Sequence, residues 1–215
     1  MDDFLSQGIF SSFVDELTDA AVRLIADAGT TRLSIGVVAG GIGMRRQSLT
    51  TRLRTQAELW SLEGSPVGVL HQVIVIRFGP RWRDWSTEGF YACSPGQMPA
   101  PAVPHTDDQR SAVRIWHGLR QLASADLLAG EPGPADAIAE QRELERAAMR
   151  HGLHTFLGRP ASPLTVAALQ AFVDGVQLAA SDHVDPLSPM VAQGILESHL
   201  RGLLVRGYRA QARTA

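Results

Sequence analysis

Apolar positions recur at helical spacing along most of this chain. Between residues 13 and 28, Phe13, Leu17, Leu24 and Ile25 share one face, while Asp15, Asp19, Arg23 and Asp27 lie mostly off it. That pattern predicts an amphipathic helix, ended by Gly29. Thr30, Thr31 and Arg32 form a short connection, and Ser34 is placed to cap the next helix. The run from Leu33 to Leu49 then reads as helix, glycine turn, helix. Ala39 is small enough to let two helices approach, and Gly43 supplies a positive φ that a side-chained residue adopts only at a cost. Val38, Ile42, Met44, Leu49 and Leu53 form the expected buried seam, and Thr55 is a suitable cap for a fourth helix. Residues 1–60 are thus expected to make one compact helical module.

Beyond Trp60 the pattern is less regular. Gly64-Ser65-Pro66 interrupts the helix, and Val67 to Phe78 is rich in β-branched residues. A helix is still expected there, because Pro66 fits a first helical turn and a strand would find no pairing partner elsewhere. Trp82, Trp85, Phe90 and Tyr91 follow, then a loop or linker containing Pro95, Pro99, Pro101 and Pro104. Four more helices are predicted, over about Asp107–Leu128, Pro134–Leu157, Pro163–His183 and Ser188–Arg206, with Asp107, Ser162 and Ser188 as caps. In the last two, Leu164, Ala168, Phe172, Val176 and Ala179 face Ile195, Leu196, Leu200, Leu203 and Leu204 in an antiparallel hairpin. Its small residues Ala167, Ala171, Gly175 and Gly194 suit close approach of a second helix pair, either across a dimer or within one core. The predicted class is all-α: an N-terminal helix-turn-helix module over 1–60 and a helical ligand-binding and dimerisation domain over 61–215.

Composition adds bounds. The chain has 215 residues, 45% hydrophobic and 20% charged, with formal net charge −2, which describes an ordinary globular protein. A single cysteine, Cys93, rules out an internal disulfide and fits a reducing cytoplasm, the expected location. The acidic start, Met1-Asp2-Asp3, is unlike a signal peptide, and no membrane partner is expected. The 20 basic residues are all arginine, and five of them (Arg32, Arg45, Arg46, Arg52, Arg54) fall between Arg32 and Ala57, a stretch without an acid. A slightly acidic chain therefore carries one local basic patch.

At these residues the chain resembles the TetR family of bacterial transcription regulators. The likeness runs from about Phe13 to Trp60: Gly29 ending helix 1, Ser34 opening helix 2, Val38-Ala39, the turn glycine Gly43 with Met44, Ser48-Leu49, Leu53, Thr55 opening helix 4, and Leu59 pointing inward. It departs at Thr50 and Arg52, where the family usually has Tyr and His, and at Gln56, where it usually has a phosphate-binding Lys. Gly36, Gly40 and Gly41 also make helix 2 weak, each costing about 1 kcal/mol against alanine.

The resemblance implies a homodimeric regulator, bound to double-stranded operator DNA and released by a small apolar effector, with no cofactor and no enzymatic activity. In that case the helix from Arg45 enters the major groove. Arg45, Arg46 and Gln47 lie at its amino end, where an Arg forks onto guanine and a Gln pairs with adenine. Thr50, Thr51, Arg52 and Thr55 suit phosphates, and Ser34 touches backbone at the start of helix 2. The dimer would form through the last two helices. Trp82, Trp85, Trp116, Met149, Phe156 and Phe172 are candidates for an apolar effector cavity, with His117 as a polar point. His151 and His154 are three apart, a metal-compatible spacing without a carboxylate or thiol partner in pattern, so no metal is expected.

Two other readings compete. Ile35 to Gly43 also looks like a strand entering a dinucleotide-binding turn, but Arg46 stands where the third small residue should be, and no strand ending in an acid follows. An all-helical interaction protein that has lost DNA binding is the other alternative, motivated by Thr50 and Gln56.

Overall fold

The structure is a computed structural model that describes residues 3–29 and 33–211; Thr30, Thr31 and Arg32, the expected connection, lie outside the described residues. It is all-helical. Among the described residues eight helices follow in order: α1 (Asp3–Ala28), α2 (Ile35–Gly41), α3 (Arg46–Trp60), α4 (Pro66–Tyr91), α5 (Asp107–Leu128), α6 (Gly133–Leu157), α7 (Pro163–Ala180) and α8 (Pro189–Gln211). Two compact units share them. One joins Met1–Trp82 with Arg114–Gln141, the other Arg83–Val113 with Arg142–Ala215.

In the first unit, Phe13, Leu17, Val38, Ala39, Leu49 and Leu53 are buried together with Leu70 and Ile74 of α4. Ile42 and Met44 are only half-buried, so the seam between α2 and α3 is narrower than the sequence suggests. Trp82 and Trp116 stack at 5.7 Å in this core. His71 Nδ1 lies 2.6 Å from Asp126 Oδ2, tying α4 to α5, and Arg77 reaches back to Asp15 of α1 at 2.8 Å. The turn between α5 and α6 is clasped to the start of α4: Ser65 N–H donates to both carboxylate oxygens of Glu131, at 3.1 and 2.9 Å. Gly64 and Gly68 leave the space for that carboxylate, since a Cβ on either would collide with Glu131 Oε2.

Helix α2 is weakened by two of its glycines. Gly36 and Gly40 add backbone entropy without packing, and a Cβ at either would meet no atom within 4 Å. The double variant Gly36→Ala/Gly40→Ala is therefore expected to raise stability by about 1–2 kcal/mol, read as a higher urea midpoint at unchanged m-value.

In the second unit, Phe90, Val103, Leu153, Phe156, Leu169, Leu196 and Leu200 belong to one buried cluster. Helices α4 and α6 meet closely at Gly152, where a Cβ would lie 2.9 Å from the Phe90 carbonyl oxygen. The proline-rich segment after Tyr91 is a packed loop: Gln177 Nε2 donates to the Ala102 carbonyl at 2.8 Å, and Val103 is buried. Helix α5 is capped by Thr106, not Asp107, in a reciprocal box: Gln109 N–H donates to Thr106 Oγ1 at 3.2 Å and Gln109 Oε1 accepts from Thr106 N–H at 3.2 Å. Ser162 caps α7, accepting from Thr165 N–H at 3.1 Å, and Ser188 Oγ accepts from Val191 N–H at 3.3 Å.

Helices α7 and α8 pack as the expected hairpin, but α7 turns a different face inward. Val166, Leu169, Val173, Val176 and Ala180 are buried, while Leu164 is 79% exposed; Leu204 lies outside the described side chains. Gln170 and Gln177 sit on the inner face, 2% and 1% exposed, each with a bonded partner. The outer face carries Leu164, Ala167, Ala171, Gly175 and Leu178 in the open, beside Met190, Val191, Gly194 and Ile195 of α8. By length and composition α7 could cross a bilayer, with mean hydropathy 1.3, and 39% of it is buried in the protein.

Between α6 and α7 lies an ionic cluster. Arg142 bonds Glu145 at 3.2 Å and Asp174 at 2.8 Å, and Gln170 Nε2 donates to Glu145 at 3.0 Å. On the solvent side, Glu143 accepts from Arg146 and Arg150, both at 2.8 Å. The hydrogen bonds from Arg150 and then Arg146 hold the Glu143 carboxyl below its ordinary value. Because the folded state binds this proton less readily than the unfolded chain, the pair's contribution is full above the ordinary carboxylate range and is lost as pH falls through the lowered value. Glu143→Gln should accordingly lower stability slightly at neutral pH and leave it unchanged at pH below the lowered value, so that the acid limb of a stability–pH curve measured by urea melts becomes flatter.

Candidate nucleic-acid interface

The turn between α2 and α3 is built by its glycine. Gly43 has φ +65°, Met44 N–H donates to the Ala39 carbonyl at 2.8 Å, and Gly43 N–H to the Gly40 carbonyl at 3.2 Å. This paired bonding satisfies the last carbonyls of α2 and turns the chain directly into α3. At the other end Ser34 Oγ accepts from Val37 N–H at 3.4 Å, so the predicted cap is in place.

Helix α3 is longer than expected. It runs without a break from Arg46 to Trp60 and ends at Ser61, in the left-handed region at φ 52°, where Leu62 N–H closes on the Ala57 carbonyl at 2.8 Å. Thr55 therefore caps nothing. Its hydroxyl bonds the Thr51 carbonyl at 3.4 Å, one turn back in the same helix. The continuous helix buries Leu49, Leu53 and Gln56 along one side. That carries Leu59 out to 59% exposure, where the resemblance implies an inward residue. Gln56 is 1% exposed, so its amide donors are out of reach of a phosphate.

The remaining predicted residues share the open side of the module. Ser34, Arg45, Arg46, Gln47, Thr51 and Arg52 are exposed, and Thr50 and Thr55 half-exposed. Arg54, also exposed, extends the row. Arg52 lies with its guanidinium 5.0 Å above the Phe13 ring of α1, a cation–π contact. Among the described residues, no carboxylate pairs with Arg45, Arg46, Arg52 or Arg54. Elsewhere arginines do find acids: Arg77 with Asp15, Arg81 with Asp19, Arg110 with Asp107, Arg142 with Asp174 and Arg201 with Glu197. The amino end of α3 adds to this positive field. Its cap residue Arg45 makes no side-chain capping bond, and no acid stands in the first turn, so the helix dipole and two guanidinium groups point the same way.

The predicted effector residues do not gather in one place. Trp82 and Trp116 belong to the core of the first unit, with His117 half-buried beside Trp116 in sequence. Met149 and Phe156 lie in the core of the second unit. Trp85 lines a recess of about 380 Å³ with Glu88 and His105. Phe172 stacks on His199 at 4.0 Å, beside an open groove of about 520 Å³ between α7 and α8. Sequence reasoning missed this groove, because it credited Phe172 to the interior. Among the described residues no cluster of three or more His, Cys, Asp or Glu is arranged to hold a metal.

No family model matches the chain. No curated protein matches it either. Among solved structures it is similar to the crystal structure of the multidrug binding protein EbrR complexed with imidazole, at 20% identity and a TM-score of 0.40, over 86% of this chain and 88% of that one.

Proposed function

We propose that this protein is a sequence-specific DNA-binding transcription regulator of the TetR type, a repressor released by a small apolar ligand. The observation that carries the reading is the group of exposed arginines on α3 that have no acidic partner among the described residues, next to a glycine turn that joins α2 directly to α3. Unpaired guanidinium groups on an open helix face suit phosphates and guanine edges. Residues 1–60 would be the reading head and 61–215 the effector and dimerisation part. The open stripe of Ala167, Ala171 and Gly175 on α7, with Gly194 on α8, supports a homodimer through the last two helices. The effector would enter this second part, where Trp85 and Phe172 are the predicted residues lining open recesses.

The test is selection of duplexes from a randomised pool by the full chain, followed by anisotropy titration at two salt concentrations. A near-palindromic site with half-sites about 34–36 Å apart is the expected result. Uniform, weak binding to every duplex would sink the proposal. Ala171→Arg, at an exposed position, should leave the helical fold intact, convert the dimer to monomer in light scattering, and abolish tight binding to the selected site.

A further inference from the structure

The hydroxyl groups on the reading face divide into two kinds. Thr50 Oγ1 donates to the Arg46 carbonyl at 3.0 Å, Thr51 Oγ1 to the Gln47 carbonyl at 3.1 Å, and Thr55 Oγ1 to the Thr51 carbonyl at 3.4 Å. A threonine hydroxyl has one proton, and in each of these it is already given to the helix's own backbone. Phosphate oxygens accept hydrogen bonds and have none to donate, so a hydroxyl engaged in this way has nothing to give a phosphate. Ser34 is the opposite case. Its Oγ accepts from Val37 N–H, which keeps the hydroxyl proton free for a phosphate oxygen.

With the hydroxyl turned back along the helix, the group Thr51 presents to its surroundings is its methyl. Thr51 is exposed and lies four positions after Gln47, and half-exposed Thr50 lies four positions after Arg46, so each sits one turn further on along the same face of α3 as its partner. On the major-groove edges of the base pairs, the apolar feature is the C5-methyl group of thymine, and a threonine methyl is a suitable contact for it. We propose that Thr51, with Thr50 beside it, reads thymine methyl groups and not phosphates. This makes the pair specificity-determining residues, and it rests on the DNA-reading function proposed above. The half-site then combines guanine at Arg46 and adenine at Gln47 with one or two thymines whose methyl groups face α3.

The experiment exchanges each thymine of the selected duplex for deoxyuridine, which removes the methyl and leaves the Watson–Crick edge intact. The full chain should lose about fourfold in affinity at one or two positions, the value of one buried methyl group. Thr51→Val keeps the methyl and loses the hydroxyl; it should bind as well as the parent and retain the deoxyuridine penalty. Thr51→Ser keeps the hydroxyl and loses the methyl; it should bind about fourfold more weakly and become indifferent to deoxyuridine at that position. Both variants should melt with the parent, since the side chain is exposed. Deoxyuridine without effect throughout, or Thr51→Val weakening all sequences alike while Thr51→Ser does not, overturns the inference and leaves the DNA-reading function standing. Failure to select any site overturns both.

Discussion

Arg142→Met is expected to cost about 3–5 kcal/mol of stability, the scale for removing one partner from a buried ionic cluster. The reasoning is one of charge left out of water. Arg142 is 14% exposed at its side chain, Glu145 5% and Asp174 15%, so both carboxylates are largely dehydrated around one guanidinium. Methionine matches the length of the arginine stem and so isolates the electrostatic loss from a packing loss. Urea denaturation should show the midpoint falling sharply at unchanged m-value. The triple variant Arg142→Met/Glu145→Gln/Asp174→Asn removes all three charges together and should recover much of the loss. If Arg142→Met alone is neutral, the cluster is hydrated in solution and the account of how α6 holds α7 is wrong.

Arg46→Ala should weaken binding to the selected duplex by roughly 10–100-fold, with the loss concentrated at one base pair. Discrimination at that pair should disappear, because a bidentate fork onto guanine O6 and N7 has no substitute among the neighbouring side chains. Arg52→Gln is the contrasting case. Arg52 is steadied over the Phe13 ring and suits a phosphate, so its loss should weaken all duplexes alike and lower the slope of log affinity against log salt by about 1. Equal behaviour of the two variants would mean that α3 supplies only a general positive field. Neither effect should be accompanied by a lower melting temperature, since both side chains are exposed.

The elements of this protein were legible where breakers punctuate them. Helices α5 and α6 lie where Pro104, Gly130-Glu131-Pro132-Gly133 and Gly158-Arg159-Pro160 mark their limits, and Gly43 makes the turn its position implies. Two misreadings have one cause. No glycine or proline stands between Leu53 and Trp60, so the backbone had no reason to stop at Thr55, and continuing the helix swings Gln56 inward and Leu59 outward. The absence of a breaker was the available signal. On α7 the sequence is apolar nearly all round, and the two glutamines made the true inner face look polar. Gln170 and Gln177 are tolerated there because each has a partner from another segment, Glu145 and the Ala102 carbonyl, which no local pattern shows. The basic face of α3 was legible as a cluster of arginines. That Arg45, Arg46, Arg52 and Arg54 have no carboxylate partner among the described residues is a three-dimensional fact.

The clasp of Glu131 on the start of α4 bears on which exchanges this protein tolerates outside its basic helix. Three positions share one small volume: a Cβ at 64 or 68 would press on the tip of the Glu131 side chain, and a glutamate removed from 131 leaves the Ser65 amide to seek another acceptor. A change at any one of the three is therefore felt at the other two, although 66 positions of chain separate Ser65 from Glu131.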